Sequence, residues 1–243
     1  MMSSRSIGTA RRASSPGTST TVSTTGRAAI ARKARSHLRK ADPVLARVID
    51  SVGAYRPTDG TSGSHFGALI RSIVFQQLSG KAANTIHNRL LDLYPDRTPT
   101  APDILATPDE KLRAAGLSRQ KIGYLRDLAG RVDRGELPLD HVDTLPDDEL
   151  IAHLVQVKGI GRWTAQMFLM FKLGRMNVLP ELDLGIQNAI KRAYRKRKCA
   201  PKDVLRIGAK WTPYSSIACW YLWRSLDNGG GQLGDAKTTK RKA

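Results

Sequence analysis

In Val157-Lys158-Gly159-Ile160-Gly161 two glycines flank one apolar residue, and the link is too short for anything but a turn. The glycines permit positive φ and remove Cβ atoms where another backbone must come close. Amides exposed at the start of the following helix, with the positive end of its dipole behind them, form an anion site. That anion could be a phosphodiester. The plain alternative for a lone GxG is a turn between two packed helices. Lys158 carries the same choice, between a phosphate contact and an ordinary exposed lysine. Further on, Asp183 in Leu179-Pro180-Glu181-Leu182-Asp183-Leu184-Gly185-Ile186 stands at the mouth of a helix. Aspartate there is commonly an N-cap, so the residue alone leaves its role open. Trp163 and Trp223 are large aromatics of the kind that also fill helical cores.

The elements that must position these residues are helices. Leu150, Leu154 and Val157 recur at helical spacing before the turn, as Trp163, Met167 and Met170 do after it. Pro146 with Asp147, Asp148 and Glu149 makes an acid-rich first turn that suits the helix dipole. Upstream, Asp42 is placed to cap a helix with Pro43 in its first turn. A buried helix through Phe66, Leu69, Ile70, Ile73 and Val74 ends near Gln76-Gln77, and Ser79 caps the next. Short helices are expected over 102–106 and 108–115, and a longer one opens at Ser118. Gly174 to Leu182 reads as irregular, and helices follow over about 184–197, from Pro201, and from Pro213 to Leu226. No period-two strand and no internal repeat is visible. The fold class is therefore all-α, a bundle of about ten helices in two subdomains with a cleft between them.

Composition bounds the partners. The chain has 243 residues and a formal net charge of +19, with nine Lys/Arg and no acid in residues 1–41. Residues 42–234 carry 27 bases against 20 acids, so much of the excess lies toward the ends. For such a basic chain the first candidate partner is nucleic acid, the alternative being a charge excess that only aids solubility. Residues 1–41, rich in Ser, Thr, Gly and Arg, are expected to be a disordered basic arm. A second reading of that stretch is an organellar transit peptide. Residues 42–228 are the expected domain, and 229–243 a flexible basic tail. No apolar run approaches the roughly 18 to 20 residues of a membrane span. Cys199 and Cys219, only two and far apart, fit a reducing compartment and exclude a four-cysteine cluster or zinc site.

The strings VKGIGRWTA, LPELDLGI and WTPYSSIACWYLW, in that order, resemble the helix-hairpin-helix DNA glycosylase superfamily, specifically its 3-methyladenine DNA glycosylase II branch. The resemblance covers about Pro43 to Asp227. It implies that Asp183 is the essential aspartate. It also implies that Trp163, Trp223 and, more weakly, Tyr214 line a base pocket. Gln77, beside Gln76, would fill the gap left by an extruded nucleotide, where the plain alternative is a polar residue at a helix end. Lys158, Gly159, Ile160, Gly161, Arg162 and Thr164 would meet the DNA backbone. Met167 stands where the family often has an aromatic, Ser215 where arginine is common, and Glu181 departs from a frequent second aspartate. These departures bear on the lesion preference and on that part of the site.

The implied chemistry explains why one carboxylate suffices. Alkylation at N3 or N7 leaves a cationic purine that departs readily, and a fixed carboxylate stabilises the oxocarbenium-like sugar. Members that also cut the strand carry a Schiff-base lysine where this chain has Trp163, so a monofunctional hydrolase is expected. The expected partner is double-stranded DNA with alkylated bases, met by a monomer without metal or cofactor. It would work beside the nucleoid in a bacterial cytoplasm, or in the nucleus or an organelle of a eukaryote. The competing readings are a helix-hairpin-helix DNA-binding module without chemistry and a glycosylase for another damaged or mispaired base.

Overall fold

The computed structural model describes residues 24–56 and 63–227. The expectations for residues 1–23 and for the tail at 229–243 lie outside the described residues. Among the described residues every regular element is helical: α1 (Thr24–Ala41), α2 (Pro43–Val52), α3 (His65–Phe75), α4 (Gly80–Leu91), α5 (Ala101–Ala106) and α6 (Asp109–Ala114), then α7 (Arg119–Asp133), α8 (Asp147–Leu154), α9 (Arg162–Met167), α10 (Leu184–Ala193), α11 (Pro201–Gly208) and α12 (Ser215–Leu226). Single 3-10 turns lie at Pro95–Arg97, Leu139–His141 and Ala209–Trp211. The starts follow the expected chemistry, with side chains of Asp42, Ser64, Ser79 and Ser118 accepting N–H groups of the first turns of α2, α3, α4 and α7.

The helices bury two cores. One is built by the continuous stretch from α3 to α9, with Leu69, Ile70, Ile73, Leu125, Leu128, Leu150 and Leu154 sealed inside. The other joins the two ends of the described chain, packing Leu38, Leu45 and Ile49 against Ile186, Ile190, Trp211 and Tyr221. Met170 touches both. The fold thus has two halves, and the path from α9 to α10 crosses between them.

Residues 24–41 correct the expected arm. They form α1, with Ala34 and Leu38 fully buried in the second core. The composition is polar and basic, but these two residues stand four apart on one face and the cations occupy the rest. Asp42 then ties the second half together. Its buried carboxylate caps α2 and accepts from Trp211 Nε1 at 2.9 Å and from the Tyr194 hydroxyl, with Lys210 Nζ at 3.2 Å. Burial alone would raise this carboxyl, but the bonds from Tyr194, Trp211 and the helix amide outweigh it and hold it below its ordinary value.

α9 does not end as an α-helix. Phe168–Lys172 continues it as a π turn, in which the Leu173 N–H reaches back five residues to the Phe168 carbonyl at 3.2 Å. The wider turn adds a residue to the helix and so re-aims the side chains that follow. Phe171 faces Trp223 as a result, with ring centroids 5.9 Å apart.

Candidate active site

The hairpin between α8 and α9 is held from three sides. Gly159 has φ +84°, and a Cβ there would lie 2.2 Å from the Tyr124 ring, so only glycine fits. Asp127 accepts the Lys158 N–H at 2.8 Å, and Gln76 Nε2 donates to the Gly159 carbonyl at 2.7 Å. The Ile160 side chain is buried in the first core, and its N–H closes on the Val157 carbonyl. Gly161 is different. Its backbone is extended, and a Cβ there would meet nothing within 4 Å. No side chain caps α9, so the N–H groups of Gly161, Arg162, Trp163 and Thr164 find no acceptor among the described residues. Two of the expected anion-binding amides, at Lys158 and Ile160, are therefore used inside the protein, while those of Gly159 and of Gly161 to Thr164 find no acceptor among the described residues.

Gln76 and Gln77 separate in role. Gln76 caps α3 and its side chain turns inward to the hairpin, so it braces the turn instead of facing outward. Lys121 Nζ holds the same corner, donating to the Val74 and Gln76 carbonyls at 2.6 and 2.8 Å. Gln77 stands exposed with φ +58°, a backbone region costly for a side chain with Cβ.

Asp183 is the N-cap of α10 and is only 8% exposed. Its Oδ1 accepts the Ile186 N–H at 2.7 Å and the Trp223 Nε1–H at 2.9 Å. Its Oδ2 accepts the Trp163 Nε1–H at 2.7 Å. Three N–H donors suit an acceptor-only carboxylate. One oxygen has both lone pairs engaged, and the other keeps one open. Gly185 makes room, since a Cβ there would lie 3.0 Å from both Asp183 Oδ1 and the Trp223 ring. The fully buried Cys219 thiol is pushed well up, by burial first and then by the Asp183 charge.

The turn before Asp183 is fastened to α9. Glu181 Oε1 accepts from Arg162 Nε at 2.8 Å and Oε2 from Gln166 Nε2 at 2.9 Å. Gln166 also donates to the Leu179 carbonyl, and the Glu181 carbonyl accepts from Gln187 Nε2 at 3.0 Å. Burial would raise the Glu181 carboxyl, yet the donors from Gln166 and Arg162 overcome it and hold it below its usual value. Arg162, expected to face phosphate, thus commits its Nε to Glu181.

Of the expected base-pocket residues, the structure joins Trp163 and Trp223 to Asp183. Trp163 remains 45% exposed. Tyr214 is elsewhere: it is buried in the second core, edge-on to His37 at 5.5 Å. Ser215 is buried and bonds Asn177. Thr164 is half-buried, and Lys158 exposed. Phe171, Gln166, Tyr124 and Asp127 were not singled out from the sequence. Helical spacing puts Gln166 one turn from Trp163 and Arg162, a signal that could have found it, while Phe171 depends on the π turn and nothing local marks the other two.

A hairpin with free amides beside a carboxylate held at a helix mouth can be compared with known proteins. A family model described as HhH-GPD superfamily base excision DNA repair protein matches residues 70–214. The chain belongs to the HhH-GPD superfamily. This HhH-GPD chain is 37% identical over 197 residues to the DNA-3-methyladenine glycosylase 1 of Schizosaccharomyces pombe, covering 79% of the chain and 86% of that relative. The solved structure of the S. pombe 3-methyladenine DNA glycosylase Mag1 in complex with abasic DNA is similar at a TM-score of 0.71, with 37% identity, over 79% of this chain and 95% of that one. A DNA-3-methyladenine glycosidase from Bacillus halodurans gives a TM-score of 0.74 at 35% identity, covering 80% and 89%. The HhH-GPD match takes in the hairpin, Asp183 and Trp163, while Trp223 lies beyond its end.

Proposed function

We propose that this chain is a monofunctional DNA-3-methyladenine glycosylase, acting as a monomer on double-stranded DNA, that extrudes alkylated purines and hydrolyses their N-glycosidic bond to begin base excision repair. The observation that carries this reading is the buried Asp183 carboxylate, held between two indole N–H groups beside a hairpin with free amides. The relatives named above, and the complex of one of them with abasic DNA, support it. In a module that only binds DNA the cap bond at Oδ1 would suffice, and the open acceptor direction of Oδ2 would have no task.

In the proposed reaction the amides from Gly161 onward and Lys158 hold phosphates, and Gln77 enters the gap left by the extruded nucleotide. The exposed face of Trp163 receives the cationic base. Asp183 Oδ2, with one acceptor direction open, faces the sugar and stabilises the oxocarbenium-like transition state as the base leaves. Oδ1, already doubly bonded, fixes the carboxylate. Trp163 carries no amine, so no Schiff base forms at this position and the strand is left intact. The test is single-turnover release of 3-methyladenine or 7-methylguanine from alkylated duplex. Free base should appear while strands stay whole until alkali is added, and borohydride should trap no adduct. No base release from any alkylated duplex would sink the reading.

A further inference from the structure

The residues around Glu181 do more than close a turn. Arg162 and Gln166 lie four apart, on one face of α9, and grip the two oxygens of Glu181 at 2.8 and 2.9 Å. Arg162 is also the first residue after the hairpin, and its own N–H is among the free amides. Its Nε is committed to Glu181, while the side chain stays 47% exposed. Glu181 precedes Asp183 by two residues, and the same turn is held by Gln166 at Leu179 and by Gln187 at the Glu181 carbonyl. Trp163, next to Arg162, donates directly to Asp183. One helix therefore touches the carboxylate twice, by an indole and through the Glu181 turn.

We infer that Glu181, with Arg162 and Gln166, is a positioning device for Asp183 that couples the phosphate grip at the start of α9 to the placement of the carboxylate; the inference rests on the proposed glycosylase reading for that grip and for its kinetic consequence. Both carboxylate oxygens of Glu181 are taken up by Arg162 and Gln166. A carboxylate bound at both oxygens, by the partly exposed Arg162 and by Gln166, fixes the turn in a way that packing of the exposed Leu182 cannot. Because Arg162 Nε is occupied by Glu181, a phosphate arriving at the hairpin meets the outer edge of the same guanidinium. Docking of the DNA backbone then tightens the turn that carries Asp183.

Two readouts test this on the full chain. The chain has four tryptophans, so the indole N–H region of a nitrogen-15 NMR spectrum holds four signals, assigned by Trp→Phe variants. Trp163 and Trp223 report on Asp183, while Trp211, bonded to Asp42, and Trp220, whose indole N–H has no acceptor, are internal controls. Glu181→Ala should move the Trp163 and Trp223 signals and leave the other two in place. It should slow single-turnover base release by about tenfold to a hundredfold, the scale of a misplaced reacting group, with less effect on abasic-DNA binding. Glu181→Gln, which keeps the shape and one acceptor oxygen, should recover part of the rate. In an Asp183→Asn background Glu181→Ala should cost nothing further, because a residue acting through Asp183 has nothing left to position. Unmoved Trp163 and Trp223 signals, or equal slowing in both backgrounds, would overturn the inference. If the parent released no base, the proposed function would fail while the indole signals still decided the positioning role.

Discussion

At Asp183 the helix cap and the proposed catalytic role are compatible, because they fall on different oxygens. Oδ1 caps α10 and takes Trp223, and Oδ2 takes Trp163. Asp183→Asn can keep its oxygen at the Oδ1 position, so the cap and the Trp223 bond survive. Its amide then confronts the Trp163 N–H, and that bond is lost. The indole is half-exposed and can turn to water, so the stability cost should be about 1 kcal/mol. Base release should fall about a hundredfold to a thousandfold, as when a preorganised stabiliser is removed. Thermal unfolding beside single-turnover kinetics separates the two. Parental rates in the Asn variant would show that the charge is not used.

At the scale of elements, the two hairpin glycines should respond in opposite ways. Gly159→Ala places a methyl into the Tyr124 ring at positive φ, and should destabilise the fold by about 1 to 3 kcal/mol in denaturant unfolding. Gly161→Asp enters open space, so the fold should stand and duplex affinity should drop, because a carboxylate meets phosphate. Equal duplex affinity of the Gly161→Asp variant and the parent at low salt would remove the phosphate from this place. In α4, His87 is held down to about 4 by burial first and then by the charges of Arg71 and Arg97. The folded state thus resists protonation that the unfolded chain accepts near its ordinary value of about 6.5. The stability contributed by neutral His87 is complete above that value and is lost progressively as pH falls toward 4. His87→Gln should flatten the unfolding free energy across this window, and an unchanged slope would contradict the assignment.

The helices and their caps were legible because period and capping chemistry are local: Asp42, Ser79 and Ser118 sit where the pattern puts them. The cap at Asp183 was legible in the same way. The indole bonds to Asp183 were not, since Trp223 comes from forty residues away and only the fold brings it in. The same holds for Asp127 against Lys158, thirty-one residues on. α1 was misjudged because its buried face is only a few small or apolar residues in a basic stretch, and composition spoke louder than period. The burial of Tyr214 in the second core was not legible, because an aromatic near the site and an aromatic in the core look alike in sequence.

For the whole molecule, the second core depends on Asp42. This carboxylate is fully buried at the point where α2, the end of α10 and the Ala209–Trp211 turn meet. Asp42→Ala leaves the Trp211 N–H and the Tyr194 hydroxyl without their acceptor, and should cost about 3 kcal/mol or more. Denaturant unfolding should show this as a lower midpoint. At a temperature where the variant is still folded, base release should keep its parental rate, because Asp183 has its own donors. A rate loss without a stability loss would mean that Asp42 communicates with the site.

The second core is closed by both ends of the described chain, and this bears on the order in which a newly made molecule becomes competent. The stretch from α3 to the π turn is continuous and can collapse as soon as it is synthesised. α1 and α2 are made earlier still, but they wait for α10 to α12 as packing partners. Asp183 emerges with only one of its two indoles already in place, and Trp223 arrives in the last helix of the described chain. A nascent chain therefore completes its hairpin before Asp183 has both indole donors, so on the proposed reading it gains the ability to bind DNA before the ability to release a base.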